Sequence, residues 1–161
     1  EVTPLTISTE KIQNLQDHLM LFFTGFSRNA SDIAQKQIEI LSIKTKELDI
    51  MIELCKEAEK LLVSSEKGFL EWGELLNEQW KIKKSMTNLI TNSKIDDMYE
   101  RGLSSGALGG KLLGAGGGGF ILFFVLPEKQ EQLKANLKNI LHVPFRFDFS
   151  GSQIVYHSAN D

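Results

Sequence analysis

The chain has 161 residues, 42% of them hydrophobic, a formal net charge of −3 and one cysteine, Cys55. That length suits one compact domain or one lobe of something larger, and the lone thiol excludes an internal disulfide and a cysteine-built zinc site, favouring a reducing, cytoplasmic setting. Mild acidity argues against broad binding of nucleic acid or an anionic membrane, and no apolar run approaches the roughly 18 residues of a membrane span.

The start shows neither a signal-peptide pattern nor an initiating methionine, as expected of a piece of a longer chain. Residues 2–7 (VTPLTI) read as a short strand that Pro4 confines to an edge. Ser8 or Thr9 can cap a short helix running through Ile12 and Leu15 to about Asp17. Residues 18–24 (HLMLFFT) are a compact apolar run ending at Gly25, suited to a strand buried on both faces. From residue 28 to 62 no glycine or proline intervenes, and Ala34, Leu41, Leu48, Cys55 and Leu62 recur at sevens. This predicts one long helix with an antiparallel partner, which residues 69–90 supply through Phe69, Trp72, Leu76 and Trp80. Asn92 and Ser93 begin a further helix, with Ser93 and Asp96 spaced as a capping box and a stop at Gly106. Residues 111–113 lead through glycines into 120–126 (FILFFVL), a strong strand signal. Pro127 opens a helix holding Leu133, Leu137 and Leu141. Val143, Phe145, Phe147 and Phe149 alternate with polar positions or Pro144 as a half-buried strand, and residues 154–157 make a last one. The sum is an α+β sandwich, a small, mostly antiparallel sheet covered by helices.

Eight of the 13 glycines fall between Gly106 and Gly119, and the segment Gly114, Ala115, Gly116, Gly117, Gly118, Gly119 is the densest part. A glycine in ordered structure costs about 0.5–1 kcal/mol against alanine, so the four at 116–119 cost about 2–4 kcal/mol, more than a hairpin requires. Either this is a flexible turn without a ligand, or the backbone must come close to phosphate oxygens, a sugar or another loop. Two common phosphate-loop templates fail. Lys111 precedes the loop, where GxxxxGK[ST] needs it after, and a dinucleotide fingerprint leads into a helix, whereas these glycines enter a strand.

Residues 106–125 (GALGGKLLGAGGGGFILFFV) resemble the third signature motif of the GHMP kinase superfamily. The form is that of its sugar kinases acting on heptose 7-phosphate and, more distantly, fucose. Residues 19–37 (LMLFFTGFSRNASDIAQKQ), 77–100 (NEQWKIKKSMTNLITNSKIDDMYE) and 143–157 (VPFRFDFSGSQIVYH) resemble further segments of that branch in the same order. The resemblance implies that residues 1–161 form a ferredoxin-like, two-layer C-terminal lobe. It further implies an enzyme that uses ATP and Mg2+ to phosphorylate the anomeric hydroxyl of a heptose 7-phosphate. The implied partner is an N-terminal lobe of the same polypeptide. In the family that lobe brings a PxxGLGSSA-type nucleotide loop, the magnesium ligand and the aspartate that activates the sugar, none of which is found in this sequence. No catalytic or metal-binding residue is therefore expected here, and the isolated chain is expected to be inactive. The lobe's own part is a glycine loop that helps close the ATP and sugar-phosphate pocket, with backbone N–H groups and cations answering oxyanions.

Lys83 matches the lysine of the family's W-x-x-K pattern that begins at Trp80, and Lys84 adjoins it. Arg28 follows the TGFS turn containing Thr24 and Ser27, where a phosphate could sit at a helix N-terminus. Lys111 stands just before the glycine loop. Each has a plainer reading: a solvated helix face for Lys83 and Lys84, a pair with Asp32 for Arg28, a strand-end surface charge for Lys111, and an ordinary turn and cap for Thr24 and Ser27. His18, His142 and His157 are scattered without metal-type spacing, Trp72 and Trp80 read as core, and Asp96 and Asp97 as helix-start charges. Two other readings of the whole chain stay open. One is a stand-alone α+β module holding a small anion on the same loop, and the other a dimer built on the paired helices.

Overall fold

The computed structural model of the chain describes residues 3–26, 30–64 and 69–154. Ser27, Arg28 and nearly all of the strand expected at 154–157 lie outside them. Helix α1 (Thr9–Asp17) begins where expected, with the Ser8 hydroxyl accepting from Lys11 N at 3.2 Å. Strand β1 (Leu19–Phe23) follows, and its burial alternates, with Met20 and Phe22 buried and their neighbours only half-buried. Residues 3–7 do not form the expected strand. Pro4 offers no N–H, and the segment instead lies along the helices, with Leu5 in the wall of a cavity.

The single long helix expected over 28–62 is two, α2 (Ala30–Ile40) and α3 (Thr45–Val63), separated by a turn at 41–44. Without glycine or proline, the break has no local signal. A straight helix over 30–63 would run roughly 50 Å, against roughly 20 Å for a six-residue strand. The bend lets Ile40, Leu48 and Met51 pack against one core. Lys44 N closes the turn onto Ile40 O at 3.0 Å, and the Lys44–Glu47 ion pair at 2.6 Å braces the new start. Helix α4 (Phe69–Met86) is the expected partner, and α5 (Ser93–Ser104) follows. Its cap is Asn92, whose side chain accepts from Lys94 N and Ile95 N at 3.1 Å each, so the expected Ser93–Asp96 box is not used.

Strands β2 (Ala107–Leu112) and β3 (Phe120–Val125) flank the glycine loop. A 3-10 turn (Pro127–Lys129), α6 (Gln130–Asn136) and the two-residue β4 (Leu141–His142) complete the described elements. The sheet order is β2-β3-β1-β4 with every pairing antiparallel, the arrangement of a βαββαβ ferredoxin-like unit. Leu141, expected in the preceding helix, is in β4 and largely exposed. Beyond it, residues 143–149 make no ladder. Val143 N still donates to Leu21 O at 2.8 Å, after which Pro144 removes a donor. The Gln16 side chain then stands in for a strand, accepting from Phe147 N at 2.8 Å and donating to Phe145 O at 3.3 Å.

Phe123 and Phe124, adjacent in β3 and so on opposite faces, are both completely buried. Phe123 joins Trp80, Ile95, Tyr99, Leu133 and Leu137 in the larger core cluster, while Phe124 joins Leu15 and Leu76 in a smaller one. Helix α4 feeds both and crosses β2 at very short range: a Cβ on Gly109 would overlap the Gly73 carbonyl oxygen. That crossing packs α4 on the face of β2 just before the glycine loop.

Candidate functional site

The loop between β2 and β3 is anchored from three sides. On the β1 side, Thr24 is 3% exposed; its N–H and hydroxyl both donate to Gly119 O, at 2.9 and 3.0 Å. The Thr24 hydroxyl oxygen accepts from Phe26 N at 3.3 Å, and Gly119 N donates to Phe26 O at 2.9 Å. On the far side, Gly117 N donates to the buried Ile90's carbonyl at 2.7 Å. From the helices, Lys83 Nζ of α4 donates to Gly114 O and Gln37 Nε2 of α2 to Ala115 O, each at 2.6 Å.

This anchoring explains much of the glycine surplus. A Cβ on Gly116, at φ +119°, would lie 2.8 Å from Ile90 Cα, and one on Gly118 would lie 2.6 Å from Phe26 O. At these two positions the close approach is to the chain's own backbone. Gly114, at φ +76°, faces open space. Among the described residues, no hydrogen bond engages the N–H groups of Gly114, Ala115, Gly116 or Gly118, while two loop carbonyls are held by side chains. The loop therefore presents donors, with one ammonium at its edge, a disposition suited to an oxyanion.

The candidate cations separate. Lys83 meets the loop, and no carboxylate pairs with it among the described residues. Burial, and then the neighbouring charge of Lys111, hold its ammonium below the ordinary value of 10.5. Lys84 points elsewhere: its Nζ is 3.2 Å from Asp96 Oδ1 and 5.8 Å from the centroids of the Trp80 and Tyr99 rings, sealing the seam between α4 and α5. Asp96 also accepts from the Thr91 hydroxyl at 3.1 Å. Lys111 donates to the Gln79 side-chain oxygen, and burial lowers its pKa too. Thr24 has both hydroxyl roles committed to its own chain. Ser27 and Arg28 lie outside the described residues.

Sequence reasoning missed Gln37 and Gln79, because a lone amide carries no periodic or motif signal. Nor did it single out Tyr99, whose hydroxyl donates to Gly110 O at 3.1 Å, with Asn77 Oδ1 at 2.9 Å, and whose pKa burial raises. Tyr99 thereby ties α5 to β2 just ahead of the loop. Among the described residues there is no group of three His, Cys, Asp or Glu that could hold a metal, and no helix is long and apolar enough to cross a membrane.

The family described as GHMP kinases C terminal matches residues 59–142, which contain α4, α5, the whole glycine loop and the strands beside it. The D-glycero-alpha-D-manno-heptose 7-phosphate kinase of Campylobacter jejuni is 32% identical over 135 residues, covering 82% of this chain and 39% of that enzyme. The bifunctional fucokinase/GDP-fucose pyrophosphorylase of Arabidopsis thaliana is 31% identical over 150 residues, covering 86% of this chain and 13% of that protein. In structure the chain is similar to the mevalonate kinase of L. major, with a TM-score of 0.65 over 77% of this chain and 40% of that one, at 15% identity. The chain thus spans about two fifths or less of the length of these relatives. The matched segment, the ferredoxin-like order and the glycine loop agree: the chain belongs to the GHMP kinase family, as its C-terminal domain.

Proposed function

We propose that this chain is the C-terminal lobe of an ATP-dependent sugar kinase that phosphorylates the anomeric hydroxyl of D-glycero-D-manno-heptose 7-phosphate, giving the 1,7-bisphosphate. The observation that carries the proposal is the donor array of the glycine loop, four N–H groups unengaged among the described residues, with the Lys83 ammonium at its edge. Such an array fits the phosphate oxygens of ATP or of the sugar phosphate and does not fit Mg2+, which needs oxygen ligands. In the proposed assembly Mg2+, when bound, neutralises the nucleotide phosphates and is held by the N-terminal lobe of the same polypeptide.

Phosphoryl transfer asks mostly for positioning and charge neutralisation. The loop N–H groups bind and orient phosphate oxygens, and their carbonyls are kept out of the way by Gln37 and Lys83. Lys83, which no carboxylate pairs with among the described residues, answers the oxyanion with its charge. The hydroxyl proton of the sugar leaves to a base on the other lobe as the sugar oxygen takes the γ-phosphoryl group and ADP departs. The test is ADP release by the two-lobed polypeptide, with heptose 7-phosphate, fucose and mevalonate screened in parallel with Mg-ATP. Turnover with heptose 7-phosphate, and none by the 161-residue chain alone, is expected. Turnover by the single lobe, or none with any sugar phosphate, overturns the proposal.

A further inference from the structure

Helix α3 has no fully buried residue along its 19 positions, although it runs beside α4. Where α3, α4 and the sheet edge meet lies a cleft of about 390 Å³, open to solvent on one side. Its wall is apolar over most of its extent, built from Leu54, Ala58, Leu62, Trp72 and Leu76, and Leu5 of the N-terminal segment adds to it. Its size falls in the range of small-molecule sites, which combine an apolar lining with a few polar groups.

The polar groups in the wall are few: Lys111, Gln79, Cys55 and Glu59. Lys111 enters from β2 and is met by the Gln79 side-chain oxygen; among the described residues no carboxylate lies within ion-pair distance of it. Burial disfavours its charged form, and the neighbouring Lys83 is likewise cationic. Cys55 lies close enough for its thiolate form to favour the lysine's charge, but Cys55 is exposed, and its sulfur is 3.9 Å from Gln79 Nε2. Glu59, the one carboxylate in the wall, is on the exposed side of α3. A cation without a carboxylate partner beside an apolar cavity asks for an anionic head on an apolar tail.

We infer that this cavity binds a single-chain amphiphile with an anionic head, its tail between α3 and α4 and its head on Lys111. The cleft's volume, about 390 Å³, lies at the small end of ligand sites, which suits a medium-chain carboxylate better than a long-chain lipid. A phosphorylated sugar, polar on every side, has no counterpart in the apolar part of these walls, although Lys111 and Leu113 set the cavity beside the glycine loop.

The test is calorimetric titration of decanoate, kept below its micelle-forming concentration, into the 161-residue chain. Saturable one-to-one binding is expected, with decanol (the same tail without charge) and butyrate (the head without the tail) each about tenfold weaker or worse. K111M should weaken decanoate by about tenfold, and A58F, which fills the cavity, should abolish binding. If A58F fails to unfold cooperatively, the decanol, butyrate and K111M arms still decide. Absence of saturable decanoate binding, equal affinity for decanol, or an unchanged affinity in K111M would overturn the inference. No ATP or sugar is present in the experiment, so its failure leaves the kinase proposal standing, and failure of the kinase proposal leaves this one.

Discussion

Replacing Gly116 by alanine tests whether the glycine loop is a built structure or a slack turn. Gly116 sits at φ +119°, and an added Cβ would lie 2.8 Å from Ile90 Cα and 2.9 Å from Ile90 O. A side chain forced into that backbone region costs about 1–3 kcal/mol. Relieving the contact must also push the loop away from Ile90 and stretch the 2.7 Å Gly117–Ile90 hydrogen bond, for about 0.5–1.5 kcal/mol more. The expected destabilisation is therefore about 2–4 kcal/mol. Gly114 is the internal control. Its φ of +76° carries about 1–2 kcal/mol of strain, but a Cβ there meets nothing within 4 Å. The loss of unfolded-chain freedom is common to both substitutions and cancels in the comparison. Urea unfolding followed by circular dichroism gives the two values directly, and G116A should also melt lower, by about 2–4 °C for each kcal/mol. Equal destabilisation by G114A and G116A, within about 0.5 kcal/mol, would refute the claim that Ile90 packs against the loop.

Two further expectations use the same assays. Lys83 and Lys111 have folded-state pKa values depressed by burial, so near the upper end of the pH scale the unfolded chain binds more protons than the folded one. The stability of the native sequence relative to a K83M, K111M double variant should rise as pH climbs from the depressed values toward 10.5; a flat or falling difference contradicts the burial of the two ammonium groups. T24V keeps the shape of Thr24 but deletes the hydroxyl bond to Gly119 O and the acceptor for Phe26 N. It should cost about 1–2 kcal/mol and speed hydrogen exchange at Phe26, and an unchanged exchange rate there would show that the hydroxyl does not pin the loop.

The elements that the sequence made legible are those with local causes. The Ser8 cap, the apolar β1 and β3 runs, and the α4 stripe through Leu76 and Trp80 could be placed because capping and periodicity act within a few residues. Where expectation failed, the deciding partner was distant. The break between α2 and α3 lets Ile40, Leu48 and Met51 reach one core, and residues 143–149 lost their strand to Pro144 and to the side chain of Gln16. Within the site, Lys83 could be named from its motif, but its carbonyl partner at Gly114, the commitment of Lys84 to Asp96 and the turning of Lys111 toward Gln79 depend on how α4 crosses β2.

The sequence by itself determined the α+β class, the position of the glycine cluster and, through the motifs around it, the family. Such features reside in residue type and spacing along the chain. The close approaches that require glycine emerge only once the chain is folded. Gly116 and Gly118 let the loop close on Ile90 and Phe26, and four loop N–H groups remain without a partner among the described residues. Both facts arise because a positive φ and a contact of 2.6–2.8 Å are set by backbone atoms far apart in sequence, which no local pattern encodes.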